Sequence, residues 1–86
     1  MEVTISRGFI EDIKSAPKPV QLAADAAIRK LIEAKSLQTS GLDHNKLEGQ
    51  RKGENYYRIR IGDWRIGIEC VPPNGVILRL LIRGAI

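Results

Sequence analysis

Residues 56–69 read YYRIRIGDWRIGIE, and the fold follows from the way arginine alternates with isoleucine on both sides of Gly62-Asp63. Successive side chains of a strand point to opposite faces, so Tyr56, Arg58 and Arg60 share one surface while Tyr57, Ile59 and Ile61 share the other. A two-residue Gly62-Asp63 turn pairs Ile61 with Trp64, Ile59 with Ile66 and Tyr57 with Ile68, and sets Arg60 opposite Arg65 in the adjacent layer. One face of this hairpin suits a core. The other sets like charges opposite each other, at a cost of about 0.2–1 kcal/mol per pair. A fold has no use for that conflict, and such places are where function is sought.

Toward the C-terminus, VPPNGV at 71–76 punctuates a second turn. A three-residue Pro73-Asn74-Gly75 loop, a type I turn closed by a left-handed glycine, carries the alternation into a third strand and pairs Ile68 with Leu80 and Ile66 with Ile82. A four-residue loop breaks this parity. In the favoured register Arg79 stands opposite Glu69 as a cross-strand ion pair, Arg83 falls opposite Arg65, and Arg60, Arg65 and Arg83 form one row. The core face comprises Tyr57, Ile59, Ile61, Trp64, Ile66, Ile68, Leu78, Leu80 and Ile82; Cys70 shares its parity and reads as a buried, inert thiol.

Toward the N-terminus, EVTIS at 2–6 puts Val3 and Ile5 on one face of a short strand, and Ser6 offers a capping hydroxyl to a helix carrying Phe9, Ile10 and Ile13. Pro17 and Pro19 end that helix, and Pro19 opens a second whose apolar stripe runs Val20, Ala24, Ala27, Leu31, Ala34. The helices form a hairpin that covers the core face. Residues 36–45 read as a plain connection, with His44 solvated in it. The expectation is a single α+β domain over residues 1–86: an N-terminal strand, a helix hairpin and an antiparallel three-stranded meander, β-α-α-β-β-β.

Composition narrows the function. Eighty-six residues hold one modest core, which argues against a multi-site enzyme. The chain is 43% hydrophobic and 28% charged, ordinary for a globular protein, and 14 Lys and Arg against 10 Asp and Glu leave a net charge of +4. That balance favours an anionic partner. One cysteine and one histidine leave neither an internal disulfide nor a multi-residue zinc site, and fit a cytoplasmic protein. The start MEVTISRGFIEDIK has no secretion-signal pattern, and no stretch reaches the roughly 18 apolar residues of a membrane span.

The cluster Arg58, Arg60, Arg65, Arg79 and Arg83, joined by Lys46, Arg51 and Lys52, suits a ligand with several phosphates. Tyr56 adds a ring on which a base can stack. A merely solubilising face would mix in Glu and Lys. Glu69, opposite Arg79 in the favoured register, reads as structural rather than as a base.

NKLEG at 45–49, the hairpin 56–69 and LIRG at 81–84 together resemble the RelE/ParE superfamily of small bacterial toxins. In that superfamily a leucine-glycine element precedes a strand of the form Tyr-[Arg/Lys]-[Ile/Val]-Arg and a hairpin ending in an aromatic residue, Arg and an aliphatic residue. The resemblance covers the whole chain. It implies the toxin of a type II toxin–antitoxin system and a cognate antitoxin that wraps it. On the RelE-like branch it implies cleavage of ribosome-bound mRNA without metal or cofactor, the ribose 2′-hydroxyl attacking phosphorus to leave a 2′,3′-cyclic phosphate. The positions similar to the family's catalytic basic residues are Arg58, Arg60, Arg65 and Arg83. Lys46, Arg51, Lys52, Tyr56 and Arg79 are left as RNA-binding candidates. Arg58 and Arg60 stand where RelE itself carries lysines, and arginine, with a pKa above about 12, holds phosphate well but is a poor base. RelE-like chains also carry a stacking tyrosine beyond the last strand, and this sequence reaches Ile86 without one. Two alternatives stay open, a ParE-like inhibitor of DNA gyrase and an inactive relic that binds an antitoxin. The full set of four arginines favours the RelE-like branch.

Overall fold

The computed structural model describes residues 1–83; residues 84–86, with the end of the LIRG motif, lie outside the described residues. The elements follow in the order β1 (Glu2–Ile5), α1 (Arg7–Lys14), α2 (Lys18–Glu33), β2 (His44–Lys46), β3 (Tyr56–Ile61), β4 (Trp64–Val71) and β5 (Asn74–Ile82). The strands form one mixed sheet in the order β1-β5-β4-β3-β2. The fold class is the expected one, with β3–β4–β5 as the antiparallel meander and β1 parallel to β5. Among the described residues, no helix is long and apolar enough to cross a membrane.

Local chemistry sets the helix ends. Ser6 caps α1 by accepting from the Phe9 N–H, and α2 opens with Pro19 in its first turn. Gln21 ties the two helices together, donating to the carbonyls of Ile13 at 2.9 Å and Ala16 at 3.2 Å. Their inner faces present Phe9, Ala24, Ala27, Ile28 and Leu31 to one side of the sheet, where Ile59, Ile66, Ile68, Ile77 and Leu80 are buried. Each fully buried aliphatic side chain contributes about 1.5–3 kcal/mol.

The β3–β4 hairpin has the expected register: Ile59 faces Ile66, Arg60 faces Arg65 and Ile61 faces Trp64. Gly62, at φ 63°, supplies the positive φ that the first central position of its two-residue turn requires. The second turn differs from the expectation. Pro72 and Pro73 alone connect the strands, pairing Val71 with Asn74 and Ile68 with Ile77, and a register shift between Gly67 and Ile68 then pairs Gly67 with Arg79 and Ile66 with Leu80. An even-length turn inverts parity, and the one-residue bulge, which leaves Leu78 unpaired, restores it. Ile77 and Leu80, three apart, can thus both enter the core. Ile77 therefore takes the place expected of Leu78, and Ile82, expected inside, is 53% exposed.

The segment after α2 is more than a connection. Leu37 is fully buried, held inward by a turn in which Ser36 and Thr39 exchange hydrogen bonds and the Ser40 hydroxyl donates to the Leu37 carbonyl at 2.6 Å. Residues 44–46 then add β2 to the outer edge of β3.

Beyond Ile77, where β1 ends, the edge of β5 is covered by α1. The Ser6 hydroxyl donates to the Leu78 carbonyl at 2.7 Å, and Asp12 accepts from the Leu80 N–H at 2.8 Å and from Arg79 Nε at 2.7 Å. Removing this carboxylate orphans a backbone donor, so Asp12→Ala should cost about 1–3 kcal/mol of stability. The Arg79 hydrogen bond, helped by the Leu80 N–H, holds the Asp12 carboxyl below its ordinary 3.8 against the opposing effect of burial. A depressed folded pKa gives stability that is complete above the unfolded value and lost as pH falls through the folded one. Urea midpoints of wild type and Asp12→Ala should therefore differ at neutral pH and converge in acid; a constant gap through the acid range would show that the carboxylate is not its source.

Candidate active site

The helix-free face of the sheet carries three cross-strand rungs between β3 and β4: Arg60 opposite Arg65, Arg58 opposite Gly67, and Tyr56 opposite Glu69. Asn45 of β2 flanks Arg58 on the outer side. Arg65 is half-buried, and its Nη1 donates to the carbonyls of Gly62 at 3.0 Å and Trp64 at 2.9 Å. These dipoles offset part of its repulsion from Arg60 and hold the guanidinium against the turn. Among the described residues, Lys14, Arg29 and Arg79 form ion pairs, while Arg58, Arg60 and Arg65 form none. Three guanidinium forks thus share one patch of the sheet, with Arg65 held in place, a donor array suited to the oxygens of a phosphodiester.

The other end of the face is set by a residue the sequence reading passed over. Gln50 clasps the start of β3, its Oε1 accepting from the Tyr56 N–H at 2.8 Å and its Nε2 donating to the Tyr56 carbonyl at 2.9 Å and to Leu47 at 2.6 Å. A glutamine in a glycine-flanked loop carries no sequence signal of that role. Next to Tyr56, the Glu69 carboxylate foremost, then burial and Glu54, raise its phenol above 10.0.

The remaining candidates disperse. Because a two-residue turn replaces the expected three-residue loop, and the one-residue bulge makes up only part of the difference, Leu81 rather than Arg83 faces Arg65. Arg83 lies beyond β5, its N–H donating to the Asp63 carbonyl at 2.6 Å, next to the hairpin turn and one pleat past the expected row. Arg79 is opposite Gly67, not Glu69, and its guanidinium is drawn off to Asp12. Lys46 pairs with Tyr57, on the opposite surface from Arg58, and its Nζ lies 6.0 Å from the Tyr57 ring centroid. Arg51 and Lys52 are exposed in the 47–55 loop at the Tyr56 end, with Arg60 about 13 Å along β3 from Tyr56. His44 is a half-buried β2 residue opposite Ile59, its Nδ1 donating to the Leu42 carbonyl at 2.8 Å, and not a solvated loop residue. Cys70 is buried, which pushes its thiol up. Among the described residues, no group of three or more His, Cys, Asp or Glu is placed to hold a metal ion.

A basic five-stranded sheet backed on one side by two helices is the architecture of the small RelE-type toxins. Over all 86 residues the chain is 34% identical to Toxin RelE3 of Methanocaldococcus jannaschii, covering 94% of that protein. It superposes on the RelB-RelE antitoxin-toxin complex from Methanococcus jannaschii with a TM-score of 0.79 and 30% identity, over 92% of this chain and 88% of that one. The archaeal RelE-RelB complex from Pyrococcus horikoshii gives 0.74 and 26%, over 99% and 97%. No family model matches the chain. The chain belongs to the RelE toxin family. These relatives are archaeal, so the family stands without the bacterial label attached to the resemblance.

Proposed function

We propose that the protein is the toxin of a toxin–antitoxin pair and inhibits translation by cutting mRNA on the ribosome. The observation that carries this reading is the Arg60–Arg65 rung with Arg58 beside it, three guanidinium groups without a carboxylate partner among the described residues. In the proposed reaction the ribose 2′-hydroxyl attacks the adjacent phosphorus and the 5′-oxygen of the following nucleotide departs. Arg58, Arg60 and Arg65 hold the phosphate and stabilise the charge that develops on its oxygens; Arg83, beside the hairpin turn, supports the same end. Tyr56 offers a stacking surface, with Arg51 and Lys52 meeting the RNA backbone at that end. No metal or cofactor takes part as the reaction is proposed.

The antitoxin partner is supported by the RelB-RelE complexes on which the chain superposes. An acidic, partly disordered segment that orders on binding complements the arginine face and keeps RNA off it. The test is to add the purified chain to a cell-free translation reaction and map new mRNA 5′ ends by primer extension. Cuts within ribosome-occupied codons, absent when ribosomes are withheld, are expected. Their absence at full toxin occupancy would sink the reading and return the chain to gyrase inhibition or inactivity.

A further inference from the structure

The proposed reaction has phosphate-binding groups but lacks a base, since an arginine of pKa above about 12 does not give up its proton. The register supplies a candidate. Glu69 faces Tyr56 on β3 and Val76 on β5, while Arg79, the partner expected for it, is held by Asp12. The charged or titratable groups around it are the Tyr56 phenol, Glu54, which with Glu69 raises that phenol, the diagonal Arg58, and Arg65 four residues back on its own strand. Between Arg65 and Glu69 lies Gly67, at which an added Cβ would meet nothing nearer than the Arg79 backbone at 4.0 Å. The middle rung is therefore a shallow gap with Arg58 on one side, the Arg60–Arg65 pair at one end and a carboxylate at the other. Gly67 and Glu69 are two rises apart, roughly 6–7 Å, a span that fits a phosphate over the glycine with its 2′-oxygen hydrogen-bonded to the glutamate.

We infer that Glu69 is the general base of the cleavage proposed above, acting on a nucleotide whose 3′-phosphate lies over Gly67. The inference rests on that reading of the face. A Glu69 carboxylate oxygen takes the proton of the 2′-hydroxyl as the 2′-oxygen bonds to phosphorus; the phosphorus–5′-oxygen bond breaks, and the leaving 5′-oxygen takes a proton from water. The products are a 2′,3′-cyclic phosphate and a 5′-hydroxyl, and Glu69 then returns its proton to solvent.

The experiment is single-turnover cleavage of a defined mRNA on purified programmed ribosomes, with toxin affinity for the ribosome measured in parallel. Glu69→Gln, which keeps the shape and removes the base, is expected to cut about 10²–10⁴-fold more slowly with affinity unchanged within about threefold, a margin small against that loss. Glu69→Ala should regain activity in proportion to added formate, a small carboxylate that substitutes for the missing one, whereas Arg65→Ala should not respond. If Glu69→Gln cuts at the wild-type rate, or if the loss in Glu69→Ala is deaf to formate, Glu69 is not the base and the arginine reading survives. If wild type itself does not cut, the arginine reading falls and the base with it.

Discussion

Arg65→Ala is expected to slow ribosome-dependent mRNA cleavage by about 10²–10³-fold, the usual cost of removing one preorganised donor from a developing oxyanion. Arg65 is the best-positioned cation of the face, half-buried and tied by Nη1 to the Gly62 and Trp64 carbonyls. Among the described residues, Nε and Nη2 make no protein hydrogen bond that would compete with a phosphate. Arg65→Lys should recover only part of the rate, because an ammonium keeps the charge but not the fork. The same substitution also removes two turn contacts, so a fold control is needed. Both are on a half-exposed surface, and a loss of about 1 kcal/mol corresponds to a Tm shift of about 4–8 °C for a chain of this size. A folded Arg65→Ala protein that cleaves at the wild-type rate would remove the arginine rung from the mechanism.

The largest expected loss of stability lies away from the site, at Leu37. Leu37→Ala should cost about 2–5 kcal/mol, a large share of the roughly 5–15 kcal/mol typical of a whole domain, and lower Tm by about 8 °C or more. The side chain is fully buried in the core, and the hydrogen-bonded turn from Ser36 to Ser40 holds the backbone so that the site cannot easily collapse around a smaller residue. Leu22→Ala, at a helix position 61% exposed, is the matching control and should change stability by no more than about 0.5 kcal/mol. Chemical denaturation of the two variants checks both, and equal midpoints would show that Leu37 is not part of the cooperative core.

The alternation from Tyr56 to Glu69 was sufficient, by itself, to determine the β3–β4 hairpin, the face each residue occupies and the opposed arginines at its end. It could do so because side-chain period and a two-residue turn are local properties, fixed within a dozen residues. The caps and stripes of the helices were legible for the same reason. Only the tertiary structure decided the register of β5, where the Pro72-Pro73 turn sets Ile77 rather than Leu78 in the core, a bulge then brings Leu80 opposite Ile66, and Arg83 falls beyond the expected row. It also decided that Arg79 belongs to Asp12, 67 residues away, and that Glu69 is left beside Tyr56 on the arginine face. Those choices come from fitting helices and sheet edges to one another across the whole chain. A bulge shifts register without leaving a mark in composition or periodicity, so no reading of adjacent residues could have placed them.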